Sequence, residues 1–197
     1  MENRCIWCGE DPVYTAYHDT EWGVPEFDSR ALFEKLVLDG FQAGLSWITI
    51  LKKRENFRLA FDGFQPEIIA NYTAQDVGCL LENAGIIRHR GKIEATVTNA
   101  QAWLKIEGRQ GFDRFLWDYV DGKPLQNRFG TDAEIPAKTA LSEQISRDLK
   151  KAGFKFCGPT IVYAFMQAVG MVNDHVTTCP RHKELAEAAL LLPHQGL

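Results

Sequence analysis

No stretch of this sequence strings together the roughly 20 apolar residues that a membrane helix requires. Its first residues, MENRCIWCGE, hold no apolar run that would serve as a secretory signal. The expected location is therefore the cytoplasm. Period-two alternation, the mark of a half-buried strand, is missing as well. So are internal repeats, low-complexity tracts and long linkers. What remains is an ordinary globular composition, 45% hydrophobic and 24% charged, over 197 residues. That length suits one domain with a substantial core, or two small ones. The five cysteines are an odd number, and disulfides are not expected in a reducing compartment. Metal binding or burial accounts for them better. Cys79 and Cys157 sit among apolar residues and are expected to be core thiols.

The net charge of −4 argues against nucleic acid, but the distribution of charge matters more than its sum. Basic residues cluster at Lys52–Lys53–Arg54, at Arg88–His89–Arg90 with Lys92, and at Lys150–Lys151 with Lys155. Singly, each reads as a solvated helix face. Together they would line one DNA-facing surface.

The periodicity is helical almost throughout, so the expected fold is all-α. Leu32, Phe33, Leu36 and Val37 form a stripe behind a cap at Asp28. A second stripe runs from Trp47, Ile48 and Leu51 to Phe57, Ala60 and Phe61. Thr73 and Asp76 open a capping box whose helix is expected to close at Gly85. Further helices are expected over 90–107, 112–120, 139–152 and from Pro159 to Gly170. Residues 121–138, with Gly122, Pro124, Gly130 and Pro136, read as a long surface loop.

Three patterns carry chemistry. The first is LKKAGFKFCGPTIVYAF, residues 149–165, two helices joined by a hairpin between Gly153 and Gly158. Free amides at the second helix start, with Lys151 and Lys155, suit a phosphate. This looks like a helix–hairpin–helix, which grips a DNA backbone without reading sequence; an ordinary αα-hairpin is the plainer alternative. The second is a set of aromatics, Trp7, Tyr17, Trp22 and Trp47, in irregular segments or at a helix start. A buried tryptophan is usually core, but aromatics so placed suit a pocket wall. The third is MVNDHVTTCPRH, which spaces His175, Cys179 and His182 like half of a metal site. Cys5 and His18 would complete a Cys2His2 tetrahedron with His175 and Cys179. Cys8 and His182 compete for the same roles, and spacing leaves the choice open.

YHDTEWGVP, QAGLSWITILKKRENF, AGIIRHRGKIEA and GFKFCGPTIVYAFMQAVGMVNDH together resemble the 3-methyladenine DNA glycosylase I family. The likeness covers about residues 5 to 179, with 180–197 a tail outside it. It implies an all-helical glycosylase of the helix–hairpin–helix superfamily, a single domain over 1–197 whose pocket would lie between two lobes. It implies one structural zinc on Cys5, His18, His175 and Cys179, tying the termini together, and no nucleotide cofactor. It implies a base pocket at Tyr17, Asp39 and Trp47; Trp7 and Trp22, singled out above as aromatics, are expected as further walls. Gly44 and Leu45 would fill the gap left by a flipped nucleotide; from the hairpin pattern above, Lys151, Lys155 and Gly158 are expected to hold the backbone. The family usually has glutamate where this chain has Asp39. The implied partner is double-stranded alkylated DNA, bound by a bacterial monomer in the nucleoid. Burial near aromatics is expected to raise the Asp39 pKa. Asp174 is expected to orient His175 or cap a helix.

Two rivals stand beside this reading. A non-catalytic helical DNA-binding module would share the hairpin but not an aromatic pocket with a carboxylate. A zinc deaminase would carry H-x-E and P-C-x-x-C. Here His18 and Glu21 are spaced too far, and no proline precedes Cys5.

Overall fold

The structure is a computed structural model that describes residues 3–192. The expected boundaries at 1 and 197, and the end of the tail, lie outside those residues. Helices dominate, as the periodicity predicts.

A 3-10 turn at Ile6–Cys8 leads into α1, Pro12–Thr20. The Asp11 side chain caps α1 by accepting from the amides of Val13 and Tyr14, and Pro12 presets the first turn. Helix α2, Ser29–Gln42, starts under the predicted Asp28 cap and buries Leu32, Phe33, Leu36 and Val37. The stripe read as one helix from Trp47 breaks in two, α3 (Trp47–Leu51) and α4 (Arg54–Ala60). Short α5, Pro66–Ile69, follows. Then comes α6, Ala74–Glu82, whose capping box is present as predicted. It ends three residues before Gly85, because Asn83 leaves the helix and its side chain accepts from the Gly85 amide at 2.8 Å.

The long α7, Arg90–Gln110, runs beside α2, α5, α6 and α8 (Phe112–Trp117). Helices α9 (Ala140–Ala152) and α10 (Pro159–Ala168) pack on each other, and α10 also packs on α2. The hydrophobic cluster formed by these faces runs from Cys5 to Cys179. The loop at 121–138 is mostly exposed, but its β1 (Leu125–Gln126) pairs in parallel with β2 (Val172–Asn173). Two residues per strand are too few for any alternation to register. The chain then enters α11, Pro180–Leu190, which buries His182 and Leu185. Among the described residues, no helix is long and apolar enough to cross a membrane.

Two expectations fail here. Cys79 is exposed on α6 rather than a core thiol. Val77 and Leu80 occupy the buried face of that helix, and Cys79 falls between them on the outer side. Lys92 does not join a basic surface. It is buried, and its ammonium donates to the carbonyls of Phe41 at 2.8 Å and Ala43 at 2.6 Å. These are carbonyls at the C-terminal end of α2, where a cation complements the helix dipole.

Candidate active site and metal centre

Helix α1 carries two neighbours with different destinations. One residue step turns a helix by about 100°, so Tyr17 and His18 point apart. Both are buried. Tyr17 enters a cavity of about 300 Å³ lined also by Trp7, Tyr14, Trp22, Lys35, Asp39, Gln42 and Trp47. His18 enters a cluster with Cys5, His175 and Cys179.

In that cluster the ligand atoms of all four side chains lie within 4.8 Å of one another, and all four residues are buried. Cys5 Sγ and Cys179 Sγ each lie 3.6 Å from His175 Nδ1, and Cys179 Sγ lies 3.7 Å from His18 Nε2. Zinc bonds near 2.3 Å to sulfur and 2.0 Å to nitrogen, at the tetrahedral angle, separate the two donors by about 3.5 Å. The donor set therefore fits zinc. The second nitrogen of each imidazole is already engaged: His18 Nδ1 with Asp19 at 2.8 Å, and His175 Nε2 with the Trp22 carbonyl at 3.1 Å. Such partners fix ring orientation at metal sites. The two thiols share one proton: a hydrogen bond from Cys5, then His175 and His18, hold Cys179 well below the usual thiol range, while the same bond and burial push Cys5 well above it. The thiolate is the ligating form.

The competing ligands stand elsewhere. The Cys8 thiol donates to the Cys5 carbonyl at 3.1 Å. His182 Nε2 meets the Asn127 carbonyl at 2.8 Å.

The cavity is built from successive elements. Asp39 faces inward from α2, and Trp47 opens α3 after the exposed loop holding Gly44 and Leu45. Gly44 takes φ +83°, a value that strains any residue with a Cβ. This lets the chain turn sharply and leaves Leu45 exposed between Gln42 and Trp47, which line the cavity. Trp7 packs 4.9 Å from Trp22 and 6.4 Å from Tyr17, which packs 5.6 Å from Trp47. The wall is closed by Ala164, Gln167 and Ala168 of α10. Gly170, at φ +71°, lets the chain after α10 meet the loop at 23–25, where a Cβ would come within 2.6 Å of Pro25 N.

Several residues that line this cavity carry a buried polar atom without a partner. Asp39 Oδ2, Trp7 Nε1, Trp47 Nε1 and Asp132 Oδ1 are buried without a hydrogen-bond partner among the described residues. An unmade buried hydrogen bond costs about 1–3 kcal/mol, so each of these four groups gains by finding a partner. Burial raises the Asp39 pKa, as expected, with Lys35 opposing. Burial also raises Tyr17 well above the usual phenol value, and Asp39 adds to it.

Sequence reading missed Lys35, Gln42, Asp132 and Gln167 as lining residues. Lys35 had a signal, since it lies four residues before Asp39 and so shares its helix face. Asp132 and Ile135 reach the cavity from the segment read as a surface loop, and nothing local in that sequence announces it.

Asp174 neither orients His175 nor caps a helix. It is buried and accepts from Tyr163 at 2.6 Å, Gln167 at 2.8 Å and Asn127 at 2.6 Å. It holds Gln167 in the cavity wall.

The turn between α9 and α10 is pinned from α7, where Asn99 bonds the Lys155 amide and carbonyl at 2.8 and 3.1 Å. Lys155 is exposed. Lys151 is exposed and pairs with Asp148 at 2.9 Å. Gly158 caps α10 with no side-chain hydrogen bond to its first amides. Of the other basic residues, Lys52 pairs with Asp11 and Arg54 with Glu21.

Comparison with known proteins is consistent with this geometry. Residues 7–182 match the family model described as methyladenine glycosylase. The DNA-3-methyladenine glycosylase of Haemophilus influenzae is 51% identical over 181 residues, spanning 91% of this chain and 98% of the relative. DNA-3-methyladenine glycosylase 1 of Escherichia coli is 54% identical over 177 residues, 89% of this chain and 95% of that one. A crystal structure of a 3-methyladenine DNA glycosylase I superposes with TM-score 0.89 at 55% identity, covering 90% of this chain and 98% of the other. A structure of the Staphylococcus aureus enzyme, described as the basis of its 3-methyladenine recognition, gives TM-score 0.88 at 45% identity, with 90% and 95% covered.

Proposed function

The chain belongs to the methyladenine glycosylase family, and from that premise we propose that it excises 3-methyladenine from alkylated DNA. The observation that carries this reading is the aromatic cavity around a buried carboxylate with one unpartnered oxygen. A base inside a duplex is out of reach, so it is flipped out, at a cost of a few kcal/mol that is least for a damaged base. Methylation at N3 makes adenine cationic. Aromatic faces favour a cation by about 0.5–2 kcal/mol each. Trp47 and Tyr17 stack on the base, and Trp7 and Trp22 extend the wall. Asp39 accepts a hydrogen bond from the base edge and favours its charge.

Hydrolysis then breaks the bond between the sugar C1′ and the base nitrogen. The bonding electron pair stays with the base, which leaves neutral. Water oxygen bonds to C1′ and gives up a proton, leaving an abasic sugar. A leaving group already charged needs little acid catalysis. Asp39 stabilises the positive ring before cleavage and holds its orientation through it.

Zinc on Cys5, His18, His175 and Cys179 supplies structure rather than chemistry, because four protein ligands close it to water. Gly44 and Leu45 fill the space of the flipped nucleotide. The α9–α10 turn acts as a helix–hairpin–helix, with the α10 amides at Gly158 on a phosphate and Lys151 and Lys155 adding charge. The chain works as a single-domain monomer on double-stranded DNA in the bacterial cytoplasm. Incubating it with methylated DNA and identifying the released bases by chromatography tests the reading. Release of 3-methyladenine is expected; DNA binding without base release would return the chain to the class of binding modules.

A further inference from the structure

The base cavity already holds a cation. Lys35 Nζ lies 2.6 Å from Asp39 Oδ1 and 3.7 Å from the centre of the Trp47 ring. The carboxylate is 2% exposed and the lysine side chain 16%. The two groups that would recognise a methylated base, one by charge and one by its π face, are both engaged by the same ammonium.

We propose that Lys35 is an internal occupant of the base site, displaced by the incoming cationic base and restored when that base leaves neutral. This rests on the base-excision reading above. Stacked carbon atoms sit about 3.5–4.0 Å apart, so a base on that face of Trp47 and the ammonium claim one volume. Leaving Asp39 buried and unpaired is costly. A cationic base replaces the charge that Lys35 withdraws. A neutral base does not, and the ammonium wins the carboxylate back. Cleavage converts the first kind of ligand into the second within the site, so the return of Lys35 assists product departure.

The lysine has somewhere to go. A second cavity of about 300 Å³ adjoins the first, and Lys35, Tyr17, Trp47 and Ala168 line both. Glu21 and Glu34 stand in its wall, paired with Arg54 and Arg58. A four-carbon stem on a flexible side chain can carry the ammonium from Asp39 towards those carboxylates without moving α2.

A site whose competent state is partly populated binds more weakly in proportion. Removing the occupant therefore strengthens binding of the free product. The test is a tryptophan-fluorescence titration of the full chain at pH 8 with free 3-methyladenine, comparing wild type, Lys35→Met and Lys35→Arg. Lys35→Met is expected to bind at least tenfold more tightly, and Lys35→Arg, which keeps the charge, to show no such gain. Lys35→Gln, with melting temperatures for all variants, covers the case in which methionine disturbs folding. Equal or weaker binding by both folded neutral variants, in a wild type that binds the base and releases it from DNA, overturns the proposal. It would make Lys35 a wall or a contact to the base instead. No binding by any variant, with no release from methylated DNA by wild type, overturns the base-excision reading and the proposal with it.

Discussion

The Cys/His cluster and the aromatic cavity share walls yet treat positive charge in opposite ways. Trp22 lines the cavity while its ring lies 4.5 Å from His175 and its carbonyl meets that imidazole. Trp7 lines the cavity and lies 5.4 Å from His18. On the cluster side, four buried donors converge within 4.8 Å of one another and the outer imidazole nitrogens are taken. On the cavity side, one carboxylate meets one ammonium, and polar atoms on the lining residues lack a hydrogen-bond partner among the described residues. A closed set of donors fits a permanent ion and contributes to stability. An incomplete set fits a visitor. Separating stability from turnover by mutation should therefore follow the boundary between them.

The largest effect is expected in the cluster. Binding of structural zinc is worth on the order of 10 kcal/mol in small domains. Cys5→Ala, His18→Ala, His175→Ala or Cys179→Ala should each lose the metal. A loss of about 4 kcal/mol lowers the melting temperature of a chain this size by about 8–16 °C. Cys8→Ala removes only a thiol bonded to the Cys5 carbonyl and should keep metal and melting temperature. Metal content by atomic spectroscopy beside thermal melts checks both. Zinc loss in Cys8→Ala with retention in Cys5→Ala would redraw the cluster.

Next in size is the pH dependence of excision, read from kcat/KM. Burial lifts Asp39 above the ordinary carboxylate value of about 3.9. Activity that needs the ionised form should fall as pH drops through that raised value. In Lys35→Met the cation opposing the lift is gone, so the acidic limb should move to higher pH. The stability linkage has the opposite sign. Asp39 binds its proton more tightly folded than unfolded. Its contribution is therefore fully present below the ordinary value and lost as pH rises through the raised one. Excision and melting temperature should thus respond to acid in opposite directions at this residue.

The smallest effect belongs to the hairpin. Each phosphate contact contributes about 0.9 to the slope of log affinity against log salt. Lys155→Ala should flatten that slope by about one and weaken binding equally on any sequence. Lys151→Ala should do less, since Asp148 already shares its charge. An unchanged slope in both would take the turn off the DNA.

Sequence legibility followed the same boundary between rigid, local signals and long-range assembly. Helix starts were readable because their caps are local: Asp28, Thr73 with Asp76, and Pro159 each act within one turn. The break between α3 and α4 was not, because Lys52 and Lys53 leave the helix without a proline or glycine to mark it. Trp7, Trp22 and Trp47 could be singled out by their place in irregular segments or at a helix start, whereas Tyr17, read the same way, sits inside α1. Their convergence with Asp132 from 121–138 depends on tertiary contacts that no local pattern encodes. Lys92 and Cys79 were misread for one reason, that residue type was taken for environment. A lysine can be buried when two carbonyls receive it, and a cysteine between two core residues can face outward. The Lys35–Asp39 pair had the right helical spacing, but the spacing does not say that Trp47 closes over it.

The most direct measurement compares the rate of 3-methyladenine release from methylated DNA by wild type and Asp39→Asn, with melting temperatures recorded on the same samples. Asn keeps the size of the side chain but removes its charge. Losing a hydrogen bond to a charged group, about 1.5–3 kcal/mol, predicts release slowed by roughly 10- to 150-fold while the melting temperature stays near that of wild type. Release at the wild-type rate, with the fold intact, would contradict the account and place recognition of the base outside the Asp39 cavity.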